Sequence, residues 1–218
     1  MDERVRQAGL VYERAVFSGD PGPLAAADRE LDGAEADLAV ARGRLMHTRF
    51  LLRRDEGLTA AGEEPGELAL FERAAQLYRA LGDHGGEAEA LFWVGCFHQV
   101  VRRDNAAAVP VLERSLELAS RAGDAAVMSE ALRHLGIAEH RAGRLDTARQ
   151  RLEESVRLRQ EIGLMPGVAA NLVGLAYIAA GDGDHDEALA LLKEAGTIAE
   201  ASGAHRITRQ VEELRAQL

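Results

Sequence analysis

The sequence is poor in the residues that carry many specialised functions. It has one cysteine, Cys96, so no internal disulfide can form, and without a Cys-x-x-Cys pair it has neither the spacing of a zinc ribbon nor that of a redox site. Aromatic residues make up 4% of the 218-residue chain, and there are five prolines. Lysine is nearly absent, Lys193 standing alone beside 25 arginines, and with Asp+Glu 36 against Lys+Arg 26 the net charge is −10. An acidic chain with no basic stripe is poorly suited to displace the counterions of a phosphate backbone, which argues against DNA and RNA as partners. No apolar stretch follows the opening MDERVRQ, as a secretory leader would require, so a cytoplasmic location is expected. The uncharged run 162–181 has about the length of a membrane span, but Gly163, Pro166, Gly167 and Gly174 interrupt it. It is taken as a helix junction followed by one buried helix, and no membrane role is expected.

What the chain does have is alanine and leucine, 40 and 29 residues, the two strongest helix formers. They recur with a period. FERAAQL at Phe71 to Leu77 aligns with LERSLEL at Leu112, LEESVRL at Leu152 and LKEAGTI at Leu192, at spacings of 41, 40 and 40. A second motif keeps step: EALFWVG ends at Gly95, EALRHLG at Gly136 and AANLVG at Gly174. Glycines in RALGD, SRAGD and EIGLMPG separate the two as helix stops. The unit is helix, turn, helix, turn, and a hairpin of this size buries its apolar face only by stacking on others like it.

These motifs resemble the tetratricopeptide repeat, in a long form of about 40 residues. Leu91, Val94 and Gly95 stand at the first-helix positions of one repeat, Leu132, Leu135 and Gly136 at those of the next, and Ala170, Val173, Gly174 and Tyr177 at those of the last. Ala108 with Leu112, Ala148 with Leu152 and Ala188 with Leu192 supply the second-helix element, leucine replacing the aromatic. His98 and Glu139 stand where the family has tyrosine, and the closing proline is missing. The resemblance implies an all-α, right-handed α-α superhelix forming a single domain over 1–218. Its approximate repeats are 2–33 (degenerate), 35–83, 86–124, 127–164 and 167–203, with a capping helix over 205–218. In the degenerate repeat, Leu24 to Leu31 is expected to form the second helix, and the next first helix to run through Ala39 to Arg54. The segment EGLTAAGEEP between Glu56 and Pro65 is expected to be a mobile loop.

First helices line the concave wall of such a superhelix. With glycine in the seam, the residues three before it and one, four and five after it form the opposite stripe. That selects His47, Phe50 and Leu51 on one helix and Phe92, Cys96, Gln99 and Val100 on the next. It then selects Arg133, Ile137, His140 and Arg141, and finally Asn171, Leu175, Ile178 and Ala179. Such a wall suits a peptide with a hydrophobic anchor and an acidic or C-terminal carboxylate group held by Arg133 and Arg141. The same arginines could instead pair with Glu130 or Glu139. The family often grips peptides through asparagines, and Asn171 holds such a place.

Catalytic motifs are missing: there is no phosphate-binding loop, nucleophile elbow or His-Glu-x-x-His. GDGDHDE at 181–187 alternates acids but has Glu187 at the sixth position and Lys193 at the twelfth, the wrong residues for calcium. It is taken as a turn with an acidic cap for a helix starting near Asp186. The expected function is a non-enzymatic protein interaction adaptor without cofactor or metal, with a homodimer possible. Long repeats of this kind look similar to those attached to bacterial signalling ATPases and transcriptional regulators. One alternative is a small-molecule or signal-peptide receptor with a pocket at Phe50, Phe92, Cys96 and Gln99. Another is a biosynthetic role built on Cys96 and His140.

Overall fold

The computed structural model describes residues 1–56 and 62–218, so the centre of the expected loop, 57–61, lies outside the described residues. Among these residues there are helices and turns and no strand. The chain divides into two compact units, 1–104 and 105–218. The first holds α1 (Glu3–Ser18), α2 (Leu24–Asp55), α3 (Glu67–Leu81) and α4 (His84–Cys96), which runs on into one π-helical turn, Phe97–Val101. The second holds α5 (Asn105–Ala122), α6 (Ala125–Arg141), α7 (Leu145–Glu161), α8 (Met165–Gly181), α9 (His185–Ala201) and α10 (His205–Arg215). Within each unit, every helix packs on the next in sequence, and α2 also meets α4, α6 meets α8, and α8 meets α10. Those are the contacts of stacked helical hairpins. No helix among the described residues is long and apolar enough to cross a membrane.

One kind of corner recurs. Gly82, Gly123 and Gly183 adopt positive φ (74°, 70° and 82°), and each is followed by an aspartate. The aspartate N–H donates back to a carbonyl five residues earlier, Asp83 to Tyr78, Asp124 to Ala119 and Asp184 to Ala179, all at 2.9 Å. Its side chain then accepts from the next helix's first turn: Asp83 from Gly86 N, Asp124 from Val127 N and Asp184 from Glu187 N. A Gly-Asp pair therefore closes one helix and opens the next. The acidic turn 181–187 is the third of these corners, its cap being Asp184.

The cores follow the repeat. Ala108, Ala148 and Ala188 are fully buried, as are Leu112 and Leu192, with Leu152 at 2%. Leu152 of α7 packs into two helices at once. A Cβ on Gly136 of α6 would stand 3.1 Å from its Cγ, and one on Gly174 of α8 would stand 3.2 Å from its Cδ1. Val211 and Leu214 of α10 close this core as the terminal cap. In the first unit, Ala36, Ala39 and Val40 of α2 meet Ala74, Ala75, Leu77 and Tyr78 of α3.

The N-terminal expectation needs correction. No break separates Leu31 from Ala39; residues 24–55 form one helix of 32 residues. Gly33 is the only breaker at the supposed junction, and its backbone stays helical rather than turning to positive φ. With alanines at 34, 36, 39 and 41 beside it, helix propensity carries the chain through.

Two glycines of α2 predict opposite outcomes in urea unfolding. A Cβ on Gly43 would meet the Phe71 ring at 2.5 Å, so Gly43→Ala should destabilise by about 1–3 kcal/mol. At Gly33 the nearest atom lies at an ordinary 3.7 Å, and Gly33→Ala should stabilise by about 0.5–1 kcal/mol.

Candidate functional site

In the second unit a polar network runs through the interior between α6, α7 and α8. Arg133 Nη1 on α6 donates to the Ala170 carbonyl oxygen (2.9 Å) and to Asn171 Oδ1 (2.8 Å) on α8. Asn171 Nδ2 donates to Ser155 Oγ on α7 (2.7 Å), and Ser155 Oγ to the Ser129 carbonyl oxygen on α6 (2.6 Å). Arg159, also on α7 and buried, donates from Nε to Ser129 Oγ (3.3 Å) and from Nη1 to the Gly167 carbonyl oxygen (2.9 Å). Its Nη2 lies 2.7 Å from Glu130 Oε2.

Of the two guanidinium groups, only Arg159 is paired with a carboxylate, Glu130. Burial pushes Arg133 down to about 10, the nearby Arg159 charge adds to the effect, and Glu130 opposes it. Burial also lowers Arg159, again against Glu130. Arg133 is held by neutral acceptors alone, in an environment short of negative charge.

The two pairings weighed for the α6 arginines are not the ones formed. Glu130 pairs with Arg159, and Glu139 with Arg144. Arg141 is exposed, with no ion pair among the described residues. It lines a cleft of about 390 Å³ between the first turns of α5 and the end of α6, walled by Ala106, Val109, Pro110, Ala138 and Ala142, with Asn105 and Arg144 beside it. Pro110 stands inside α5 and has no N–H to give the carbonyl four residues earlier. Ile137 and His140 are half-buried on α6.

Other members of the predicted stripe are turned inward. Asn171 is fully buried and spends its amide on Ser155 and Arg133; it does not present a free amide to a peptide. Leu175 belongs to the core of the second unit. In the first unit Phe50 (8% exposed) and Phe92 (5%) are core residues rather than exposed anchors, and His47, Cys96 and Gln99 are buried with them. The stripe rule fixes direction on a single helix. It does not register that Trp93, stacked on Phe71 at 5.6 Å and edge-on to Phe92 at 5.1 Å, gathers these rings into a closed cluster.

Within that cluster three groups stand in line. His47 Nδ1 lies 2.8 Å from Glu67 Oε1, and His47 Nε2 lies 3.7 Å from Cys96 Sγ. Cys96 is thus served by His47 of its own unit, whereas His140 belongs to the other. A carboxylate, imidazole and thiol in this order form the relay of a thiol nucleophile, but all three are buried among rings. The acid and the thiol use opposite nitrogens of one ring, so they do not converge on a common point. Among the described residues no group of His, Cys, Asp and Glu could hold a metal ion. The sequence carried no sign of Glu67 or Arg159. Ser155 did leave one, a hydroxyl at the place that Ser115 holds in the preceding repeat, LEESVRL against LERSLEL.

The network predicts a contrast in thermal and urea unfolding. Asn171→Ala leaves the Ser155 hydroxyl and Arg133 short of partners and should cost about 2–3 kcal/mol. Arg141→Ala, on the surface of the same helix as Arg133, should stay within about 0.5 kcal/mol of the unaltered protein.

Comparison with known proteins agrees with this geometry. Residues 100–161 match the tetratricopeptide repeat family. None of the curated proteins matches the sequence. Among solved structures, nearly identical TPR-like repeats assigned to a kinesin light chain of Podosopora anserina align at 17% identity with a TM-score of 0.52, covering 82% of this chain and 97% of that one. BtubC (BKLC) from P. vanneervenii aligns at 18% identity with a TM-score of 0.51, covering 93% of each chain. Residues 100–161 are thus similar in sequence to the tetratricopeptide repeat, and most of the chain shares the helical fold of these TPR-like structures.

Proposed function

We infer that this chain is a non-enzymatic adaptor that binds a segment of another protein, and that the segment carries a carboxylate, either an acidic side chain or a chain end. Stacked helical hairpins offer extended surfaces suited to such segments, and proteins of this fold are in general interaction scaffolds. The observation that carries the reading is Arg141. It is an exposed guanidinium with no ion pair among the described residues, at the edge of an apolar cleft large enough for a side chain or two. An apolar anchor in the cleft and a carboxylate on Arg141 would use both features, with charge-assisted hydrogen bonds to the planar guanidinium. Arg133, on the same helix, is spent inside on the Ala170 carbonyl and Asn171 and leaves Arg141 as the cation of this cleft.

Fluorescence anisotropy with a labelled peptide ending in Leu-Glu-Glu and a free carboxylate tests this. Binding should weaken about tenfold in Arg141→Glu with the melting temperature unchanged, and should fall as salt is raised. Equal affinity for the acidic peptide and for an amidated, glutamine-substituted version would remove the carboxylate from the reading.

A further inference from the structure

The two terminal helices are held very differently. At the C-terminal end the 11-residue α10 buries Val211 and Leu214 in the core of the second unit. At the N-terminal end the 16-residue α1 packs on α2 and buries no residue at all. The side it turns to α2 carries Arg4, Ala8, Val11 and Ala15, spaced by four and three, each only half-buried. Its larger apolar side chains, Val5, Leu10, Tyr12, Val16 and Phe17, are between 46% and 82% exposed. Apolar area removed from water is what holds one helix on another, and α1 removes little of it. Beneath it lie Ala27, Leu31 and Ala34 of α2, also half-buried. Leu31 belongs to a row in which leucine recurs every seventh residue, at 24, 31, 38, 45 and 52, and the other four are exposed. The helix α1 therefore interrupts an apolar row that the core of the first unit does not use.

Among the described residues one polar side-chain contact ties α1 to α2. Arg4 Nη1 donates to Asp37 Oδ2 at 2.7 Å, while Asp37 Oδ1 accepts from the Tyr78 hydroxyl of α3 at 2.6 Å. The carboxylate serves two elements through separate oxygens, so the joint between α2 and α3 keeps its hydrogen bond when Arg4 leaves. An ion pair as exposed as Arg4 and Asp37 adds little to the hold of α1. Behind α1 runs the tether Gly19-Asp20-Pro21-Gly22-Pro23. Its prolines fix their own φ and have no N–H to give, so rotation falls on Gly19, at φ 67°, and on Gly22. Arg14 pairs within this stretch, with Asp20 at 2.7 Å, and not with α2. Weak apolar cover, one exposed ion pair and a glycine-hinged tether together let α1 leave without disturbing the core beneath.

We propose that α1 is a lid: it swings open as one body about the tether while α2, α3 and α4 stay folded, and its opening makes the leucine row of α2 continuous. Native-state hydrogen exchange of the full chain, read by mass spectrometry, should show the amides of α1 exchanging together. They should exchange at least about a hundredfold faster than those of Phe71 to Tyr78 in α3, yet more slowly than an unstructured peptide. Val11→Asp sets a charge against α2 and should bring α1 to the unstructured rate with α3 unchanged. In that background a thiol placed under the lid by Ala34→Cys should react with maleimide about as fast as one placed in the open by Leu45→Cys, and more slowly when Val11 is intact. Exchange of α1 in step with α3, or loss of α3 protection in Val11→Asp, would make α1 part of the cooperative core and overturn the lid. Exchange of α1 at the unstructured rate in the unaltered chain overturns it too, since nothing then closes. So does a thiol at position 34 that is equally slow with and without Val11→Asp.

Discussion

Close approach of helices is the constraint on which the second unit depends, and Leu152 is where it acts on two neighbours at once. A leucine on α7 packs into α6 and α8 together only because Gly136 and Gly174 leave no Cβ in its way. With the helices drawn in, the next turn of α7 brings Ser155 against both neighbours, and the turn after brings Arg159. Apolar interlock and polar network are thus successive levels of one helix face. A buried network of this sort specifies one arrangement, because a slipped helix would strand charged and hydroxyl groups without partners.

The two units use polar groups inside their cores differently. The first places an imidazole between a carboxylate and a thiol and walls them with rings: Phe50, Phe71, Phe92 and Trp93 all lie there, in a chain where aromatics are scarce. The second has no aromatic residue in its core and links helices through arginine, asparagine and serine. The rings tolerate an irregular helix, as the π-helical turn after Cys96 shows, whereas the arginine network sits among helices of uniform length.

Much of the fold was legible in the sequence because it repeats. The alanine-leucine pairs at 108 and 112, 148 and 152, and 188 and 192 each form a buried crossing point, and the glycines before Asp83 and Asp124 stop helices as a left-handed cap must. What the sequence hid was single rather than periodic. The break expected between Leu31 and Ala39 does not form, because nothing beside Gly33 competes with the helix. The site was harder still. A stripe can be drawn on one helix from spacing alone, but whether Asn171 or Phe92 meets solvent depends on side chains from neighbouring helices. Arg133 was placed on the correct helix, though its partners came from α8 and not from the acids beside it. Arg141, in the last turn of α6, emerges as the exposed member.

The positive-φ glycines of the second unit stand at 123, 143, 163, 183 and 203, twenty residues apart without exception. Each interval holds one helix and one corner, so every helix begins its turn at the same angle as the one before. A single inserted residue within a helix would rotate all that follows by about 100° and swing the next seam away from its neighbour. This half of the protein is therefore quantised in length: it can grow or shrink by whole hairpins of forty residues, and by little in between.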